Sequence, residues 1–392
     1  MSATKRSPKI IALIAAALTV ALAATPLAAP VRAQGGSGAD PAPACRVRSG
    51  ASNVNVRYGP NAGEYGVIGV LYAGQQLPVT GQNASGDWYA VTFDAAGSLA
   101  GPREGWIAAN VVETEGGCDG VPVLADPGQP EEIDLLLSIP VLPTLDAESL
   151  RAIFAHGQSL GNDPRVFTKV GDCNTDTSYF LSGFDQDNYD LGPYADLAPS
   201  VDYYAGSWEH ISLAGQVGFN ALSMLDPMWA DQNQCRFSEN EGPLACEYRI
   251  AQPSVALMMF GPNDLINLTE EQYADALRGV IDLSLDRGVI PVLSTFTWHH
   301  DRMWFKSLRL NAITVEIAQE YGLPLVNFWR AAQDLPNLGL VEGYTHLTSA
   351  NTGTRMFEIR FTGEEATAGY ALRNLVTLQV LDLLRTEVLE AE

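Results

Sequence analysis

Six consecutive apolar residues, Val255-Ala256-Leu257-Met258-Met259-Phe260, run straight into the polar turn Gly261-Pro262-Asn263-Asp264. A strand that is apolar on both faces has no solvent side, so it belongs in a parallel sheet covered above and below. Parallel neighbours need long crossovers, usually helices, and the flanking sequence supplies them. Val166–Val170 reads as a strand ending at Gly171, Glu270–Arg287 as an amphipathic helix stopped by Gly288, and Val289–Phe296 as a strand. Phe305–Tyr321 reads as a helix stopped by Gly322, Leu325–Trp329 as a strand, and Glu365–Leu389 as a last long helix. This alternation predicts an α/β fold over residues 146–392, a three-layer α/β/α domain with a mostly parallel sheet. Such sheets carry their sites at the carboxyl ends of the strands.

Residues 45–118 follow a different rhythm. The runs 54–57, 67–71, 77–80, 88–92 and 105–107 alternate with period two and are broken by Gly, Asn and Asp. Strands this short at this spacing predict a small all-β barrel. Residues 34–44 read as a flexible linker, and the Pro-rich, acidic stretch 119–145 as an interdomain linker.

Ahead of these units, Lys5, Arg6 and Lys9 precede the apolar run Ile10–Ala24, and Val31-Arg32-Ala33 places small residues around a cleavage point. Residues 1–33 therefore read as a signal peptide cut after Ala33, too short in its apolar run for an ordinary span. The alternative is an uncleaved anchor helix. Export places the mature chain outside the cytoplasm, secreted or in the cell envelope, with no stable membrane insertion after cleavage. The chain carries 46 acidic against 23 basic residues, a net charge of −23. That balance argues against nucleic acid or an anionic membrane surface as the main partner.

Export also permits disulfides. Of five cysteines, Cys45 and Cys118 bracket the barrel segment, and Cys235 and Cys246 enclose ten loop-like residues, so each pair reads as a bridge. Cys173 is left over, either buried and inert or accessible and reactive. No Cys-x-x-Cys spacing occurs, so no metal site is expected, and no cofactor is implied.

Four segments put polar residues where chemistry is plausible. They are Gly171-Asp172-Cys173-Asn174, Ser212–Gly218, Gly261-Pro262-Asn263-Asp264 and Glu342-Gly343-Tyr344-Thr345-His346. Singly, each is ordinary turn chemistry. Together and in this order they resemble the SGNH (GDSL-like) hydrolase family. The resemblance implies that Cys173 stands at the nucleophile position, held by serine in the family, and that His346 is the base. It implies that the oxyanion hole is built from the backbone N–H of Cys173, Gly218 and Asn263. Gly218 is preferred to Gly215 because Val217-Gly218-Phe219 resembles the second-block turn before a helix. Asp172 and Asp264 read as turn-shaping residues.

Two departures stand out. Cysteine replaces the serine, and the family's aspartate, three residues before the histidine, falls on Gly343. Glu342 lies one position further away and is the carboxylate weighed as its substitute. A thiol paired with His346 would be held as a thiolate and would need an orienting acid less than a serine does. Sulfur is also larger than oxygen, and misplacement is costly to rate. The resemblance thus leaves two outcomes. One is an exported acyl-ester hydrolase or acyltransferase, with acylated envelope carbohydrate as a fitting substrate. The other is an inactive protein of the same fold that binds cell-wall or carbohydrate ligands.

In the barrel segment, Val54-Asn55-Val56-Arg57-Tyr58-Gly59-Pro60, Gly86-Asp87-Trp88-Tyr89-Ala90-Val91 and Gly105-Trp106-Ile107 resemble the bacterial Src-homology-3-like domain. That resemblance implies attachment to a cell-wall polymer, against the plainer role of a spacer.

Other residues draw less. Adjacent residues such as His299-His300-Asp301 rarely aim at one ion. Ser178 lies five residues past the nucleophile position. His156 and His210 carry no motif, and Tyr203, Tyr204 and Trp208 suit core packing better than a sugar-binding edge.

Overall fold

The computed structural model describes residues 44–390 apart from 63, 94–102, 237–238, 300, 344 and 351–355. The expected signal peptide 1–33 and residues 34–43 of the expected linker lie outside the described residues.

Seven antiparallel strands make up the N-terminal region. They are β1 Arg46–Ser49, β2 Val54–Arg57, β3 Val67–Leu71, β4 Gln76–Gln82, β5 Trp88–Phe93, β6 Arg103–Ala108 and β7 Val112–Glu115. Their order is β3-β2-β6-β5-β4-β1-β7. The period-two pattern works as expected: Val47, Val54, Val56, Val91 and Ile107 turn inward and are buried. Cys45 and Cys118 are bonded, closing the segment's ends across a sequence separation of 73. In the chain-entropy picture a loop of that length stabilises the fold by about 4 kcal/mol.

The stretch expected to be a linker holds helix α1, Glu131–Ser138. Leu136 is fully buried, and Glu132 pairs with Arg309 at 2.8 Å. The carbonyls of Leu136 and Ile139 accept from Asn327 Nδ2 at 2.7 and 3.1 Å. The segment is therefore fixed on the following domain.

That domain runs through α2 Ala147–Leu160, β8 Asp163–Gly171, β9 Tyr189–Asp190, α3 Ala198–Tyr203, α4 Pro243–Ala251, β10 Pro253–Met259 and α5 Pro262–Asn267. It continues with α6 Glu270–Asp286, β11 Ile290–Ser294, α7 Trp304–Tyr321, β12 Leu325–Val326, α8 Phe328–Ala331, β13 Ile359–Arg360 and α9 Gly369–Leu384. The central sheet has the order β12-β11-β10-β8 and is parallel throughout.

All seven residues of β10 are buried. Val255 and Leu257 face one apolar cluster with α9, while Ala256 and Met258 face another with α6 and α7. Burying each large apolar side chain there contributes roughly 1.5–3 kcal/mol. This is the three-layer α/β/α arrangement, with helices on both faces of the sheet.

Two elements are shorter than the sequence pattern implied, one at its end and one at its start. The strand expected over Leu325–Trp329 stops at Val326, because Asn327 caps α8 by accepting the N–H of Arg330 at 3.1 Å. The last helix starts at Gly369, and its final turn, Arg385–Leu389, widens to a π-helix.

The barrel is docked on the start of α7. Tyr58 stacks on Phe305 with centroids 5.2 Å apart and meets Trp304 edge-on at 6.4 Å. Gly66 lies so close that a Cβ there would fall 2.3 Å from the Trp304 ring.

Candidate functional site

The site is assembled where β8 and β10 end. Strand β8 closes at Gly171, whose φ of +153° and nearness to the Met259 carbonyl, 2.3 Å from where a Cβ would lie, admit only glycine. The chain then turns sharply. Asp172 accepts the N–H groups of Thr175 and Asp176 on its carbonyl, each at 2.8 Å, and that of Asn174 on its carboxylate at 3.0 Å. This turn leaves Cys173 half-buried at its apex and unbridged.

The 212–221 loop is laced to both strand ends. The N–H of Gly171 donates to Ala214 at 3.0 Å, and that of Gln216 returns to Gly171 at 3.2 Å. Beyond it, Asn263 Nδ2 donates to the Phe219 carbonyl at 2.9 Å. Asp264, in the first turn of α5, accepts the N–H of Ala221 at 2.8 Å and that of Gly261 at 2.9 Å. Gly215 is the buried glycine of this loop, bridged to Gly171, while Gly218 is exposed. The near side of the loop is fixed by Glu247 of α4, which accepts from Leu213 N, Thr168 Oγ1 and the His210 ring.

The fourth segment arrives through Asn174. Its Nδ2 donates to the Thr345 carbonyl at 3.1 Å, and its Oδ1 accepts the N–H of Leu347 at 3.1 Å. His346, between these two, is exposed. All four segments singled out by sequence are thus joined by hydrogen bonds at one end of the sheet. Between Cys173 Sγ and the His346 ring there is no hydrogen bond. Glu342 is exposed and bonds neither the ring nor, among the described residues, any other side chain.

Burial sets the electrostatics. Asp172 is fully buried, with Oδ2 unpartnered, and its carboxyl is pushed up to about 7, mainly by desolvation, with Asp264 adding to it and Arg373 opposing. Asp264 is raised to about 6 by burial, against its N–H donors. Burial and the neighbouring Asp172 charge push the Cys173 thiol up to about 11. The sulfur at rest is therefore a thiol, not the thiolate that a cysteine–imidazole pair led us to expect. Burial and Asp172 dominate its surroundings, even though the Arg373 guanidinium also lies within reach of the sulfur.

Sequence reasoning missed the supports of the site. Arg373, buried in α9, donates to the Asn174 carbonyl at 2.6 Å and to Thr175 Oγ1 at 3.2 Å. Its guanidinium lies over the Phe180 ring at 3.7 Å, and burial lowers it to about 10. A lone base inside the apolar run of α9 was the available signal. Lys169 of β8 is likewise buried, lowered to about 8 chiefly by desolvation, and donates to the Trp208 carbonyl at 3.1 Å.

The remaining candidates go elsewhere. Trp208 and Tyr204 are core residues, and Tyr203 is nearly so. The His156 ring meets the Asp286 carbonyl at 3.2 Å on the outer surface. Asp301 bonds Trp298 Nε1 at 2.9 Å, Ser178 is exposed, and His300 lies outside the described residues. Cys235 and Cys246 are bonded as expected. Glu241 joins them in a cluster within 4.8 Å, but sulfurs in a disulfide are not thiolate ligands.

Residues 52–113 match the family model of the bacterial SH3 domain. No curated protein matches the chain in sequence. Among solved structures, it is similar to a GDSL-like lipase from Bacteroides thetaiotaomicron at 14% identity and a TM-score of 0.33, covering 60% of this chain and 97% of that one. It is also similar to a mutant of the esterase AlinE4 at 19% identity and a TM-score of 0.29, covering 57% and 97%.

Proposed function

We propose that this chain is an exported SGNH-like acyl-ester hydrolase or acyltransferase with Cys173 as nucleophile. His346 is the base, and the backbone N–H groups of Cys173 and Gly218 with the Asn263 carboxamide receive the oxyanion. One observation carries this reading: Asp172–Cys173–Asn174, the 212–221 loop, Asn263–Asp264 and the His346 loop are cross-bonded at the carboxyl ends of β8 and β10. The two disulfides are in keeping with an extracytoplasmic setting.

Because the sulfur rests as a thiol, a pre-formed ion pair has no place in the mechanism. The His346 ring takes the thiol proton as Sγ adds to the ester carbonyl carbon, and the carbonyl oxygen becomes an oxyanion. Asn263 gives one amide hydrogen to Phe219 and keeps the second for that oxygen. Preorganised donors of this kind supply the largest single share of such catalysis. Collapse expels the alcohol, which takes the proton from His346, and leaves a thioester. Water, or an acceptor hydroxyl in the transferase variant, then attacks with His346 again as base. The acid or new ester departs and the thiol is restored. Sγ–imidazole contact forms only with substrate, as catalytic hydrogen bonds in unliganded sites often do. Glu342 has no part in these steps.

An acylated carbohydrate of the cell envelope suits an exported enzyme of this kind, with the barrel holding the wall polymer. The rival reading, an inactive scaffold that binds such ligands, draws on the raised thiol and on the absence of a carboxylate at His346 among the described residues. Release of p-nitrophenol from its acetate ester decides between them. The enzyme reading requires a rate that Cys173→Ala and His346→Ala both abolish. Equal rates in all three proteins leave only the binder.

A further inference from the structure

Building on the roles of Cys173 and His346 given above, we propose that Asn174 is a positioning residue that performs the orienting task left open at Gly343. Two peptide units meet at the Cα of His346. The carbonyl of one belongs to Thr345 and accepts from Asn174 Nδ2, and the N–H of the other belongs to Leu347 and donates to Asn174 Oδ1, both at 3.1 Å. A single carboxamide thus pairs with both units as a neighbouring strand would, and it holds φ and ψ of His346 together.

Asn174 is itself immobilised. It is 2% exposed. Its Oδ1 also accepts from the Tyr370 hydroxyl at 3.2 Å, its carbonyl accepts from Arg373 Nη1 at 2.6 Å, and its N–H donates to Asp172 Oδ1 at 3.0 Å. It is also covalently joined to Cys173. The His346 backbone is also held to its own loop, its carbonyl accepting the Val341 N–H at 3.0 Å, so Asn174 is the link that carries this loop to the nucleophile turn, and the side-chain torsions of Cys173 and His346 are what remain free. A carboxylate acting on the imidazole would fix the ring; here the backbone beneath the ring is fixed instead.

The test is kinetic, in the full-length protein. Asn174→Ala keeps both reacting groups and removes both bonds to the His346 loop. We expect kcat for p-nitrophenyl acetate to fall by roughly 10²-fold, with KM within about threefold. Exogenous imidazole should recover part of the rate in Asn174→Ala and in His346→Gly, but none in Cys173→Ala. A residue that merely supported folding would lower activity in step with thermal stability and give no imidazole rescue. If Asn174→Ala does not fold, the near-isosteric Asn174→Asp is read instead. It accepts from Leu347 but cannot donate to Thr345 when ionised, so kcat should again fall with KM held. Unchanged kcat in the folded variant overturns the positioning role while Cys173→Ala and His346→Ala remain dead. Activity surviving in those two overturns the parent reading instead.

Discussion

Asp264 and Ala221 are 43 residues apart in sequence, and the carboxylate of the first accepts the backbone N–H of the second at 2.8 Å. With its bond to Gly261, this residue ties the 212–221 loop to the end of β10. Asp264→Ala strands two buried N–H groups, a loss of about 2–4 kcal/mol in urea unfolding. Esterase activity should fall further than stability accounts for, because Asn263 rides on the same turn.

Alkylation of Cys173 reports its protonation. With the thiol pushed up to about 11 by burial and Asp172, only about one molecule in 10⁴ carries a thiolate at pH 7. Iodoacetamide labelling, followed by intact mass, should accelerate about tenfold per pH unit from pH 7 to 10. A plateau near neutral pH would mean a stabilised thiolate instead.

Asp172 makes stability depend on pH in a defined direction. Its carboxyl titrates near 7 when folded and near its ordinary value when unfolded. The stabilisation from the neutral acid is complete below about pH 4 and is lost as pH rises through 7. Asp172→Asn is neutral at every pH and can still accept from Asn174. Its stability relative to wild type should therefore climb between pH 5 and 8.5, by a total on the order of 2.5 kcal/mol, measured by urea unfolding at the two pH values.

Gly66→Ala probes the seam between barrel and α7. The added methyl meets the buried Trp304 ring, an overpacking that costs typically 1–3 kcal/mol. Its signature is early proteolysis of the 44–118 region together with a shifted unfolding midpoint.

Much of the fold was legible because its signals are local. The unbroken apolar run of β10 could only be a covered parallel strand, and alternation marked the barrel strands residue by residue. Gly288 and Gly322 end helices where their freedom of φ is used. Elements that depend on a receiving surface were not legible. The Pro-rich, acidic context of α1 reads as linker until Arg309 and Asn327 are seen to meet it. The 325–329 strand was cut short by Asn327, a polar residue that an apolar pattern passes over. At the site, four segments announced themselves, but the hub Asn174 did not, because its bonds reach residues more than 170 positions away.

Three successive residues at the start of α7 face two ways. Trp304 and Phe305 hold the barrel, while Lys306 donates to the Leu265 and Leu268 carbonyls at 2.7 and 2.6 Å, at the exit of the helix that bears Asn263. The barrel is consequently a jig and not a leash. On the proposed function, a polymer strand gripped by it would be presented to the α/β domain at a set angle, and register along the strand would decide which ester meets Cys173.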